Sequence, residues 1–374
     1  MNPSDPELLL RFLDGAVTPN EREQVANLLR MDRDARDYVK GQKMNSQEET
    51  MNDQPNEKKE TKMSRRKMLS RVAGVAAAGA AGLKALKSRA AEKTGRAVKN
   101  GRINQSIVNW CFESFGEKWA PEKTADVAVM LGCKSVEFVA PKHLPLLKQR
   151  GLTCAILGVD MSPDPPFRKG WNNPDYWPRV EKATRDAIDA AAAFGAPNVI
   201  VLTGYSAKNP DDPASPQLSL EEGAKNCVAG LKRVIGYAEE KKINLCLEML
   251  NSRDTSHPMK GHPGYQGDHT DYCVDIIRAV GSPRMKLLFD IYHVSIMDGD
   301  IIRRIRQHKD VIGHVHTAGN PGRGELDDPN QEIAYPAIMR ALLEIGYTGF
   351  VAQEFIPTRP PVDGLAKAVA LCDV

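Results

Sequence analysis

Glu248, Asp290, His316 and Glu354 are the residues whose types and spacing bear most directly on chemistry in this 374-residue chain. Each stands near the C-terminal end of a short apolar run: Ile243–Leu250, Met285–Tyr292, Val311–Ala318 and Phe350–Ile356. Two glutamates, one aspartate and one imidazole converging at one place would form an open, mostly oxygen-donor site for a divalent cation. Mn²⁺ or Mg²⁺ suit such a set best, and Co²⁺ or Zn²⁺ would also be accepted. A cation gripping a carbonyl oxygen and the neighbouring hydroxyl acidifies the C–H bond between them and stabilises the resulting enediolate. Glu248 and Glu354, on opposite sides of a bound substrate, would then serve as a catalytic pair, one removing the proton and the other returning it.

Such convergence needs elements that bring four distant segments together. The runs are rich in Val, Ile, Leu and Phe and are separated by amphipathic stretches, the pattern of buried parallel strands alternating with helices. From Ile103 onward the alternation repeats eight times. Candidate strands are Ile103–Phe112, Ser135–Ala140, Leu152–Val159 and Asn198–Gly204, followed by the four runs above. Candidate helices are Pro121–Leu131, His143–Arg150, Pro178–Phe194, Leu220–Glu240, Thr270–Val280, Gly299–Gln307, Ala334–Ile345 and Gly364–Leu371. Gly or Pro marks most junctions, as at Gly195-Ala196-Pro197 and Gly281-Ser282-Pro283. The expected fold class is α/β, a (β/α)₈ TIM barrel over residues 101–374, with its chemistry at the carboxyl ends of the strands. A doubly wound open sheet is the alternative, and no glycine-rich phosphate turn after the first strand supports it.

Within Ile312-Gly313-His314-Val315-His316, strand alternation turns both histidines inward, with His316 nearer the mouth. Asp290 is expected to end its strand and His293 to begin the loop over the site. The turn Asn320-Pro321-Gly322-Arg323-Gly324-Glu325 either presents Arg323 to a substrate carboxylate or forms a surface turn with an Arg–Glu pair. Thr255–His269 holds His257, His262 and His269. It reads as a solvated loop, with a second metal site as the alternative.

A net charge of +3 gives no whole-chain argument for nucleic acid or an acidic surface. The seven cysteines are scattered, as expected of reduced, buried thiols rather than a disulfide framework. No stretch is long and apolar enough for a conventional membrane span.

The first hundred residues divide in three. Residues 1–43 read as a small helical segment, with Thr18-Pro19-Asn20-Glu21 as a cap-like start, and weakly resemble the short helical module of some bacterial anti-sigma-type regulators. Residues 44–62 are polar and charged, and read as a disordered linker. Residues 63–100 carry Arg65-Arg66 ahead of the mild apolar run Val72–Leu83, then Ser88-Arg89-Ala90, the pattern of a Tat-type export signal. The barrel would accordingly be exported, periplasmic or membrane-associated, and cytoplasmic if the signal is unused.

Glu248–Arg253 (EMLNSR), Ser282–Ile302 and Gly313–Glu325 (GHVHTAGNPGRGE) resemble the hydroxypyruvate isomerase family of xylose isomerase-like barrels. So do Ile333-Ala334-Tyr335-Pro336 and Gly346-Tyr347-Thr348-Gly349-Phe350 leading to Gln353-Glu354-Phe355. The resemblance implies a single divalent cation held by Glu248, Asp290, His316 and Glu354, with the two glutamates as the acid/base pair. It implies that His293 and Arg323 contact substrate and that Glu137 lines the pocket. The implied reaction interconverts a hydroxy-ketone and a hydroxy-aldehyde through an enediolate, hydroxypyruvate to tartronate semialdehyde in the family's terms. The chain departs from that family in carrying His316 where hydroxypyruvate isomerases have Gln, as ketose 3-epimerases do, and in its extended 255–269 loop. An exported ketose 3-epimerase or keto-sugar lyase is therefore the second reading, and a non-catalytic sugar-binding envelope protein the third. Expected partners are a small hydroxy-carbonyl or sugar substrate, the Tat machinery and, as a homo-oligomer, further copies of the chain; nucleic acid is not expected.

Overall fold

The structure, a computed structural model, describes residues 95–256 and 259–374. The helical segment, the linker and most of the export segment expected within residues 1–100 lie outside the described residues. Eight strands form one parallel sheet in the order β2-β1-β8-β7-β6-β5-β4-β3. They are β1 Asn104–Val108, β2 Ser135–Glu137, β3 Ile156–Leu157, β4 Asn198–Val201, β5 Asn244–Glu248, β6 Met285–Asp290, β7 Ile312–Thr317 and β8 Phe350–Gln353. Between the two ends of that order, a parallel bridge pairs Ser135 with Thr153, and the Val136 N–H donates to the Thr153 carbonyl at 3.2 Å. The result is a nearly closed barrel.

The helices are α1 Asn109–Ser114, α2 Pro121–Leu131, α3 Leu144–Gln149, α4 Trp177–Phe194, α5 Leu220–Leu231, α6 Ile235–Lys241, α7 Thr270–Val280, α8 Ile291–Met297, α9 Ile301–Gln307, α10 Tyr335–Glu344 and α11 Pro361–Cys372. Among the described residues no helix is long and apolar enough to cross a membrane. All seven cysteines are reduced and buried.

Three expectations are corrected by local chemistry. The first strand stops at Val108, and α1 takes Asn109–Ser114. The Asn109 amide donates to Glu113 one turn on at 2.9 Å, a contact that only a helix allows. The sixth strand stops at Asp290, whose Oδ1 accepts the backbone N–H groups of Tyr292 and His293 and so caps α8. His293 therefore sits in a helical first turn rather than in a loop. The single helix expected over Leu220–Glu240 is two, α5 and α6, separated at Lys232–Val234.

Register decides which side chains face the interior. Glu248 pairs with Leu288, Leu288 with His314, Asp290 with His316, and His316 with Ala352. In parallel strands, paired residues share a face. Glu248, Asp290 and His316 thus point into the barrel, and so does Glu354, two residues past Ala352. The β6–β7 pairing slips by one at Gly313, so that Leu287 faces Ile312 but Leu288 faces His314. This bulge brings His316 level with Asp290. Gly313 suits the position because a Cβ there would sit 2.6 Å from the Lys286 Cβ. Ile156, Ile200, Leu202, Cys246, Leu250, Tyr265 and Leu288 form an apolar cluster distinct from the larger sheet–helix core.

Candidate active site at the carboxyl end of the barrel

At the strand ends, one ligand atom from each of Glu248, Asp290, His316 and Glu354 lies within 4.8 Å of the others, and all four residues are buried. His316 Nδ1 is 2.9 Å from Glu354 Oε2 and 3.4 Å from Glu248 Oε1. Neither His316 Nδ1 nor Glu248 Oε1 has an aligned hydrogen-bond partner, although both atoms are buried. Buried polar atoms are ordinarily paired, and two unsatisfied ones aimed at the same point call for a bound group. Asp290 divides its work. Oδ1 caps α8, while Oδ2 faces His293 Nε2 at 3.6 Å and Arg323 Nη2 at 3.8 Å.

Crowding three carboxylates in the interior has an electrostatic cost. Burial, reinforced by the Glu354 charge, pushes the Asp290 carboxyl up to about 8. Burial likewise raises Glu248, with Glu354 adding to it. Burial would also raise Glu354, but His316 and Arg323 outweigh it and hold its carboxyl well below the usual range. Burial would lower His316, yet the carboxylates of Glu354, Glu137 and Glu248 push it well above the usual imidazole value. An excess of buried acid relieved by shared protons is what a divalent cation would replace. Three carboxylate oxygens and one imidazole nitrogen suit a hard divalent ion. The residues therefore fit the metal the sequence suggests.

The expected substrate contacts are placed differently from one another. Glu137, expected to line the pocket, is fully buried behind the histidines. Its Oε2 lies 2.9 Å from His314 Nε2 and 3.2 Å from His316 Nε2. Burial alone would raise Glu137, but the two histidines bring it down to about 2. The pocket position of Glu137 is what the family resemblance implies; its depth behind the histidines is set by the fold and is not legible in the sequence. His293 Nδ1 accepts the Asn251 backbone N–H at 3.1 Å. Burial, with Arg323 and His262 nearby, pushes His293 well below its ordinary value, so the ring is neutral and its proton resides on Nε2. That Nε2–H has no partner.

Arg323 is not in a surface turn. It is 2% exposed and lies in the left-handed region at φ +56°. Strain of this kind, on the order of 1 kcal/mol, survives only where surroundings over-determine it. Here Nη2 donates to Glu354 Oε2 at 2.8 Å, Nη1 donates to the Met259 carbonyl, and the guanidinium lies 5.2 Å from the Trp110 ring and 5.7 Å from that of Tyr292. Trp110 also donates its Nε1–H to Glu354 Oε1 at 2.9 Å. Both Glu354 oxygens are thus oriented by neighbours. Trp110 was missed because Ile103–Phe112 reads as one strand, which hides that α1 returns the indole over the site.

The 255–269 loop is not simply solvated. His262 is 3% exposed, with its ring 4.5 Å from Phe167 and 5.6 Å from His293. His269, half exposed, bonds Asp298 through Nδ1 at 2.6 Å, and His257 lies outside the described residues. Among the described residues, His262 and His269 join no metal-type cluster. Of the four clustered side chains, Glu248 and Glu354 line a cavity of about 530 Å³ whose wall also includes Trp110, Phe138, Phe167, Leu202, His262 and Arg323.

Residues 126–373 match the xylose isomerase-like TIM barrel family. The chain belongs to that family. A human protein named as a candidate hydroxypyruvate isomerase is 32% identical over 180 residues, 48% of this chain and 61% of its own length. The chain thus spans about three fifths of that relative. A 2-oxo-tetronate isomerase of Pectobacterium atrosepticum is 26% identical over 250 residues, 63% of this chain and 87% of its own. Among solved structures, a 3-keto-D-glucoside 4-epimerase of E. coli superposes with a TM-score of 0.57 at 18% identity, covering 72% of this chain and 98% of that one. That likeness is one of fold. Membership in the xylose isomerase-like family accounts for the barrel.

Proposed function

We propose that the chain is a divalent-cation-dependent isomerase or epimerase that moves a proton at the carbon beside a carbonyl in a hydroxy-ketone. The observation that carries this reading is the clustering of Glu248, Asp290, His316 and Glu354 at the carboxyl end of the barrel, within 4.8 Å of one another, with the two glutamates lining a cavity. When bound, the cation supplies Lewis acidity toward the carbonyl and hydroxyl oxygens of the substrate.

The protein's own groups supply the rest. Glu248 offers Oε1, the oxygen facing His316 Nδ1, to the cation and lines the cavity, so its other oxygen is the one to take or return a proton. Glu354, fixed by Trp110 and Arg323, serves the opposite face of the substrate. Environments that push two carboxyls in opposite directions divide acid and base roles between them, as they do here. The neutral His293 offers its Nε2–H to an oxygen beside Asp290. The apolar cavity walls exclude water from the reacting carbon.

The hydroxypyruvate isomerase relatives favour a small hydroxy-carbonyl acid, hydroxypyruvate to tartronate semialdehyde. The cavity volume favours the second reading, a larger keto-sugar processed by the same proton transfer, because a three-carbon acid would leave most of the space unfilled. The test is solvent-deuterium incorporation into hydroxypyruvate and into ketoses, with Mn²⁺ or Mg²⁺ added and then removed by chelation. Metal-dependent exchange is expected. Its absence from every hydroxy-ketone would leave a binding protein built on the same barrel.

A further inference from the structure

The wall of the cavity is divided by chemistry. Glu248, Glu354 and Arg323 are its charged lining residues. Among the described residues the remainder carries no carboxylate, ammonium, guanidinium or amide side chain: it is Trp110, Phe115, Phe138, Val159, Pro165, Pro166, Phe167, Ile200, Leu202, Leu250 and Met259, with Gly158 and the neutral Ser114 and His262. Four of these carry benzene-type rings. Phe167 is packed in place by Tyr205, with ring centres 6.1 Å apart, and by the edge of His262 at 4.5 Å. Phe138 is held at φ +53° with its ring 5.7 Å from His316.

Two substrate shapes use this wall poorly. A three-carbon acid engages the charged residues and leaves most of the apolar wall uncovered. A free hexose fills the chamber but sets several hydroxyls against carbon atoms, and each buried hydroxyl left without a partner costs affinity. A site built to read polyols carries polar side chains around the sugar, and here the neutral polar groups are Ser114 and His262. His262 Nδ1 is buried without a hydrogen-bond partner, so the wall has one unmet polar atom for a substrate oxygen to pair.

We infer that the substrate is a hydroxy-ketone bearing an apolar, ring-sized substituent, with its polar head at Glu248 and Glu354, its ring among Phe138, Phe167, Leu202 and Leu250, and one intervening oxygen at His262. A keto-sugar glycoside with an aromatic aglycone is of this class. The inference rests on the proposed proton-transfer reading for the head and adds the tail.

Three hydroxy-ketones test it on the intact, Mn²⁺-loaded protein: hydroxyacetone, 1-hydroxy-4-phenylbutan-2-one, and D-fructose, which has as many heavy atoms as the phenyl compound. Binding is measured by calorimetry and proton transfer by solvent-deuterium exchange. The phenyl compound is expected to bind 10- to 100-fold more tightly than either of the others, the gain available from burying one aromatic ring. Phe167→Ala should shrink that ratio by about tenfold, and Phe167→Leu should restore part of it. If the phenyl compound binds no better than fructose, the tail assignment falls, whatever the exchange shows. If it binds as expected but no compound exchanges deuterium, the tail assignment stands and the proton-transfer reading falls.

Discussion

The carboxylate of Glu137 stands behind His316, with its Oε2 3.2 Å from Nε2, so the imidazole is gripped on one edge and turns Nδ1 toward Glu248 and Glu354. A carboxylate behind a histidine fixes the tautomer and raises the basicity of the nitrogen left facing a metal. Glu137→Gln should therefore weaken Mn²⁺ binding by about 10- to 100-fold in calorimetry. Thermal unfolding of the ion-free protein, run alongside, separates a general loss of fold. Unchanged affinity in a folded variant would remove Glu137 from the metal site.

Glu354→Gln should cut deuterium exchange by roughly 10³-fold, because the amide cannot accept a proton. The surroundings add a second effect. Trp110 Nε1–H meets one Glu354 oxygen and Arg323 Nη2–H the other, so either orientation of the amide sets its NH₂ against a donor. Cation affinity should fall as well, though less than the rate. Exchange near the unsubstituted level would refute the acid/base assignment.

Arg323→Ala reads differently once its partners are known. From sequence, the substitution would separate carboxylate substrates from neutral ketoses. In the fold the guanidinium is the positive neighbour of Glu354 and faces Asp290, so its removal leaves buried acid uncompensated. Exchange should fall for neutral and acidic substrates alike, with a further loss for acids only if the free Nε–H binds them. Arg323→Lys should recover part of the common loss, since a single ammonium can reach Glu354 but cannot also bond the Met259 carbonyl. A neutral ketose turned over normally by Arg323→Ala would overturn the clamp.

Cation binding should depend on pH with a definite sign. Without an ion, burial and the Glu354 charge lift Asp290 to about 8, so below that pH it holds a proton which an incoming cation must displace. Apparent affinity for Mn²⁺ should rise from pH 6 to about 8 and go on rising above it, because His316, pushed well above the usual imidazole value, must also give up its proton. Net proton release is expected at neutral pH. Calorimetry in two buffers of different ionisation enthalpy measures that release. Affinity that is flat across this range would contradict the protonated ground state.

Much of this site could be read before the fold was known, for a physical reason. Buried parallel strands are continuous apolar runs, and a charge at the end of such a run is costly to bury unless an ion or a partner meets it. Glu248, Asp290, His316 and Glu354 were legible in that way. What was hidden depends on three-dimensional return paths. Val108-Asn109-Trp110 continues an apolar pattern while the backbone turns into α1, and Ile291-Tyr292 likewise extends a strand-like run that the Asp290 cap converts to helix. The bulge at Gly313, which sets His316 level with Asp290, leaves no trace in hydropathy. Nor do Phe138, Phe167 and His262, whose meeting in one wall is settled by loops far apart in the chain.

The barrel's first strand and last helix are tied by one side chain. Asp373, just past α11, accepts the backbone N–H groups of Lys99, Asn100 and Gly101 at 2.5, 2.6 and 2.8 Å. The Asn100 side chain returns a bond to the Asp373 carbonyl at 2.7 Å. Hydrogen bonds to a charged acceptor are stronger than neutral ones, and removing the acceptor strands three donors. Asp373→Ala should lower unfolding free energy by about 2–3 kcal/mol in urea titration. Asp373→Asn, which keeps one accepting oxygen, should lose less. Because Asp373 bonds the segment that leads into β1, at the opposite end of the strands from the carboxylates, Mn²⁺ affinity at temperatures where the variant is folded should be unchanged. A stability loss below about 0.5 kcal/mol, the range of ordinary surface substitutions, would show that the three short contacts contribute nothing to holding the first strand against the last helix.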